Sequence, residues 1–172
     1  MFDTDKRKIF KVKRIIEDAA QAIKLKSVSK DGNEELANYY LNLLQSRGVR
    51  VALQQVAHSN DSYSKRQFNV LAIFGDFLVD RKTKKGILLT NAIDTTEPGL
   101  EASWRETEGK PFSAKVNGDR LYGLGTASGK VDFLAKIYAA LKFRDKKFKK
   151  PLYPLGNLWK RVGPIGTSLR YQ

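Results

Sequence analysis

Cysteine is absent from this 172-residue chain, which rules out disulfides and thiolate metal sites. Histidine occurs once, as His58, in the polar stretch Ala57-His58-Ser59-Asn60-Asp61-Ser62. With no second His and no spaced carboxylate pair beside it, this imidazole reads as a surface group rather than a metal ligand or general base. No run approaches the roughly 20 apolar residues that a membrane span needs. The charged start Met1-Phe2-Asp3-Thr4-Asp5-Lys6 is not followed by the apolar region of a signal peptide, so the expected location is the cytoplasm and no membrane partner is expected. Acidic residues are scarce: 18 Asp and Glu stand against 32 Lys and Arg, a formal net charge of +14. No glutamate occurs beyond Glu108, which excludes a glutamate base or ligand from everything that follows it.

What is present is the patterning of one α/β domain over residues 1–172, a length that buries a substantial core. Ile9, Val12, Ile16, Ala19 and Ile23 recur at spacings of three and four, which predicts an amphipathic helix with these residues inward. Leu36, Tyr40, Leu43 and Leu44 predict a second helix, opened by Asp31 or Asn33 as a cap and closed by Gly48. The period then changes. Residues 49–53, 68–74 and 86–89 read as short apolar strands of a sheet covered by helices. Asn117-Gly118-Asp119 between two short alternating runs predicts a hairpin. A third helix is predicted over 129–143, with Val131, Leu134, Ile137, Tyr138 and Leu141 inward. A last strand over 152–155 is expected to be weakened by Pro154, which has no ladder donor. This order predicts a sandwich, with a sheet between helices.

Three segments carry chemistry-bearing positions in a fixed order. The first is Gly86-Ile87-Leu88-Leu89-Thr90-Asn91-Ala92-Ile93-Asp94-Thr95-Thr96-Glu97-Pro98-Gly99. The second is Asp119-Arg120-Leu121-Tyr122-Gly123-Leu124-Gly125-Thr126-Ala127-Ser128-Gly129-Lys130, and the third is the strand Lys149-Lys150-Pro151-Leu152-Tyr153 with the residues after it. Together they resemble the acetylornithine deacetylase and aminoacylase family of zinc metallohydrolases, over nearly the whole chain and about half of a typical member. The resemblance implies a zinc-exopeptidase-like α/β fold, a three-layer sandwich with a mixed sheet. It further implies a catalytic domain that stops before the family's inserted dimerisation domain. In the family, the first segment ends in His-x-Asp-x-x-Pro, the second holds a metal-bridging Asp, and the third leads to a Glu-Glu pair of general base and ligand. Zinc or cobalt there supplies a metal-bound hydroxide that attacks the acyl carbonyl of an N-acyl amino acid.

Each of those positions is altered here. Ala92 stands at the His position, Ser128 at the bridging Asp, Lys160 at the general base and Arg161 at the second Glu. An alanine offers no lone pair, a serine hydroxyl is a weak neutral donor, and two cations oppose a divalent metal. Asp94 is retained where the family's Asp orients the ligand His. Read without the family, Asp94 is a strand-end carboxylate bonded to nearby backbone N–H groups. The resemblance therefore implies a relative of hydrolases with its catalytic capacity and metal cofactor lost. An active subunit with altered ligands is the alternative.

Two other readings compete for these residues. Ser128, Gly129 and Lys130 at a helix start form a generic anion-binding candidate through free N–H groups, helix dipole and ammonium. The phosphate-loop pattern itself fails, because Leu124 and Val131 stand where Gly and Ser or Thr are needed. The run Lys142-Phe143-Arg144-Asp145-Lys146-Lys147-Phe148-Lys149-Lys150 interleaves cations with phenylalanines and is a candidate nucleic-acid surface, equally readable as a solvated basic helix end. Trp104, followed by Pro111-Phe112, resembles a family Trp and otherwise reads as a packing residue that anchors its loop. An open sheet edge predicts a second chain as partner.

Overall fold

In the computed structural model the described residues are 3–56, 66–75, 86–127, 129–144 and 150–157, with side chains described from residue 12 onward. Helix α1 spans Asp3–Lys24 and α2 spans Glu34–Gln45. Strands β1 (Arg50–Gln55), β2 (Phe68–Ile73) and β3 (Ile87–Ala92) follow. Two 3-10 turns, Glu101–Ser103 and Arg105–Thr107, lead to the hairpin of β4 (Lys115–Asn117) and β5 (Arg120–Tyr122). Helix α3 (Lys130–Leu141) and strand β6 (Leu152–Asn157) complete the order.

The main sheet has the order β1-β2-β6-β3, antiparallel except for the parallel pair β3–β6. The mixed sheet flanked by helices is the α/β architecture that the alternation of strand and helix patterns implies. One core gathers Ala19 and Ala22 of α1, Leu36, Ala37, Tyr40 and Leu44 of α2, Val70 and Ala72 of β2, and Phe133, Leu134, Ile137 and Ala140 of α3. Tyr40 and Phe133 meet edge to face at 5.0 Å between ring centroids, which ties α2 to α3 over the sheet. The described residues thus build two layers of the sandwich, sheet and helices.

Three sequence expectations need correction in detail. Val12 is 54% exposed, because the contacts of α1 with the other helices run along its C-terminal part, from Asp18 to Ile23. Asn33 does occupy the cap position of α2, but its side chain makes no cap bond. Instead its amide clamps the start of β2, accepting from Phe68 N and donating to Phe68 O, both at 2.8 Å. In α3, Phe133 and Lys130 are fully buried, whereas Tyr138 and Leu141 are only half-buried.

Pro154 lies in a central strand and weakens it, as expected. Phe74 and Leu152 exchange backbone bonds, and Gly156 is opposite Val70, so by alternation the Pro154 nitrogen faces β2. The β2–β6 ladder breaks there, while all six pairs with β3 are intact.

Candidate functional site

Parallel strands leave a crevice at their carboxyl ends, and here Ala92 of β3 and Asn157 of β6 are register partners at that end. Ile93 N reaches across to Asn157 O at 2.9 Å. The chain then turns through Asp94 and Thr95, both buried. Thr95 exchanges backbone hydrogen bonds with the 27–29 segment, donating to Ser27 O and accepting from Ser29 N.

Ser29 fixes Asp94 directly. Its hydroxyl donates to Asp94 Oδ2 at 2.5 Å and lies 3.2 Å from Thr95 O, while Gln67 Nε2 donates to Ser29 O. Ser29 and Asp94 are 65 residues apart, so no local pattern announces the pair. Asn157 Oδ1 and Thr95 Oγ1 are buried without a hydrogen-bond partner among the described residues.

The glycine-rich loop before α3 closes the site from the side. Asn91 Nδ2 donates to Gly129 O at 2.7 Å and Ala92 O at 2.6 Å. Gly129 has φ +80, and a Cβ there would lie 3.1 Å from Ala92 O. We expect Gly129→Ala to destabilise the fold by about 1–3 kcal/mol, since both backbone strain and the carbonyl contact oppose a methyl group. Urea denaturation measures this, and an unchanged midpoint would contradict the tight packing of the loop on β3.

Lys130 overturns its reading as part of an anion-binding helix start. Its side chain is fully buried and runs to the end of α1, where Nζ donates to Leu25 O at 2.5 Å and Ile23 O at 3.3 Å. These are carbonyls that α1 leaves unpaired at its C-terminus. Nζ also lies 5.8 Å from the Phe112 ring centroid. Desolvation pulls the Lys130 pKa down to about 8. The glycines make room for this: a Cβ on Gly125 would meet the Lys130 stem at 3.0 Å.

Of the other residues singled out in the sequence, Ala92 and Asp94 come together at the strand ends. Ser128, Lys160, Arg161 and His58 lie outside the described residues, as do 145–149 of the basic run. Trp104 Nε1 donates to Pro98 O at 2.8 Å, tying its loop back on the chain. Among the described residues no three of His, Cys, Asp and Glu come close enough to hold a metal ion, and no helix is long and apolar enough to cross a membrane.

Solved structures define the fold class. Human carnosine dipeptidase 1 superposes with a TM-score of 0.64 at 17% identity, over 89% of this chain and 33% of that one. A Zn-dependent exopeptidase from Parabacteroides distasonis gives 0.51 at 14% identity, over 90% of this chain and 50% of its own. This is the zinc-exopeptidase fold.

Sequence similarity narrows that class. Acetylornithine deacetylase of Edwardsiella ictaluri is 32% identical over 135 residues, 78% of this chain and 31% of the enzyme. The chain is a homologue of the acetylornithine deacetylases over the region it shares with them, and it spans about a third of the length of those curated relatives. No protein-family model matches it.

Proposed function

We propose that this chain is an acetylornithine deacetylase-like hydrolase homologue that does not assemble the metal centre and is catalytically silent, a pseudoenzyme. The observation that carries the reading is the end of β3. The side chain at the expected ligand position is the methyl group of Ala92, and the carboxylate two residues on, Asp94, is held by the Ser29 hydroxyl. A catalytic zinc needs three protein donors and an open position for water. The residues at the other matching positions, Ser128, Lys160 and Arg161, add one weak donor and two cations, and the chain has no glutamate after Glu108 to move a proton. The donor set does not fit the metal.

The expected outcome is that the purified chain, supplied with zinc or cobalt, releases no acetate from N-acyl amino acids above the rate in buffer. Turnover that a chelator abolishes would overturn the proposal in favour of an active subunit with new ligands.

A further inference from the structure

Among the described residues β1 and β3 form the two edges of the main sheet, and they differ. β1 carries Arg50, Gln54 and Gln55, all exposed. β3 is Ile-Leu-Leu-Thr-Asn-Ala, without a charge, and Ile87 and Leu88 are 51% and 42% exposed. An apolar, uncharged free edge is a template for pairing with another strand.

Ile87 N and Ile93 N both donate towards β6, so by alternation Leu88, Thr90 and Ala92 turn their N–H and C=O groups outward. Two of those three carbonyls are already engaged by side chains. Lys136 Nζ, from α3, donates to Thr90 O at 3.1 Å, and Asn91 Nδ2 donates to Ala92 O. Lys136 is itself held in place by Asn91 Oδ1 at 2.7 Å and Asp132 Oδ2 at 2.8 Å. An ammonium with three acceptors, one of them the middle of the open edge, is positioned to obstruct a further strand. Two-fold pairing of β3 with its own copy about Thr90 would also bring two Lys136 ammonium groups together, in a chain of net charge +14.

We propose that Lys136, steadied by Asp132 and Asn91, blocks the free edge of β3 against pairing with a second copy of this chain. Replacing it with Lys136→Leu removes the obstruction and strengthens self-association at least about ten-fold in sedimentation velocity. In the associated variant the amides of Leu88, Thr90 and Ala92 become protected from hydrogen exchange. Lys136→Arg keeps the donor and behaves as the parent. Adding Thr90→Pro to Lys136→Leu restores the parent state, because the Thr90 N–H has no partner in β6 to lose.

Self-association unchanged in Lys136→Leu, or increased while the three amides still exchange fast, would overturn the proposal. The parent chain supplies a test that no variant's folding can obscure. Its Leu88, Thr90 and Ala92 amides should exchange much faster than those of Leu89 and Asn91, and equal protection would mean that the edge is already paired and unguarded.

Discussion

Replacing Lys130 with alanine is expected to remove about 3–4 kcal/mol of stability at pH 7, a large part of the 5–15 kcal/mol that holds a typical domain. The truncation leaves a cavity where the four-carbon stem is packed, and it orphans the Ile23 and Leu25 carbonyls at the end of α1. Lys130→Met separates the contributions. It keeps most of the stem and removes a charge whose burial costs about 3 kcal/mol, the equivalent of a pKa lowered from 10.5 to about 8. That relief offsets the two lost hydrogen bonds, so Met is expected to lie close to the parent at pH 7.

The pH dependence has a definite sign. Between pH 8 and 10.5 the folded Lys130 is neutral while the unfolded one still binds a proton, so stability rises with pH across this window. Above pH 10 the trend reverses. Burial raises the pKa of Tyr40 and Tyr39, and that of Tyr138 to about 12, so the unfolded chain ionises first. The parent is expected to be most stable near pH 10, and Lys130→Met to lose the rise between pH 8 and that maximum. Urea midpoints at pH 7, 9 and 11 measure both effects. A parent curve that falls from pH 7 to 9 would contradict the buried-ammonium account.

Removing the carboxylate of Asp18 is expected to cost about 3 kcal/mol. Asp18 Oδ2 accepts from Arg47 Nη2 and from the Tyr138 hydroxyl, each at 2.5 Å. Tyr39 donates to Asp18 O at 3.1 Å. One α1 residue thus joins a residue just beyond α2, one within α2 and one in α3, the first and last through its carboxylate. The pair is nearly enclosed, with Arg47 and Asp18 side chains 12% and 16% exposed. Arg47 Nη1 already lacks a partner among the described residues, and its guanidinium stacks 4.9 Å from the Tyr138 ring centroid. In Asp18→Ala that cation stays buried without its counter-charge. Replacing both partners together, Asp18→Leu with Arg47→Met, is expected to recover most of the loss. A single substitution within 0.5 kcal/mol of the parent, as surface ion pairs usually give, would show that the clasp is solvated.

Much of this architecture is legible in the residue pattern, and the exceptions share a cause. Strands β1 to β3 and the hairpin follow from period and turn residues, which are local. The homology, and with it Ala92 and Asp94 at one strand end, is legible because motif spacing is local too. Lys130 is misread because a lysine counts as polar in any periodicity, while its burial depends on carbonyls 105 and 107 residues away. Phe133 belongs to the buried face because α2 supplies Tyr40 opposite it, and no pattern within α3 reveals that neighbour. Asn33 looks like a cap in sequence, yet the start of β2 offers it a donor and an acceptor together. Pro154 is legible as a weak point because a missing donor is local, but that the break falls on the β2 side depends on the register. Ser29, which holds Asp94, carries no local signal for that role.

The central claim, that the deacetylase fold persists here without its metal centre, is tested most directly by isothermal titration of the folded chain with zinc at neutral pH, paired with a thermal melt in excess zinc. The account predicts no binding heat beyond dilution and an unchanged melting temperature. One or two zinc ions bound tightly per chain, with a raised melting temperature, would contradict it and show that other residues have taken over as ligands.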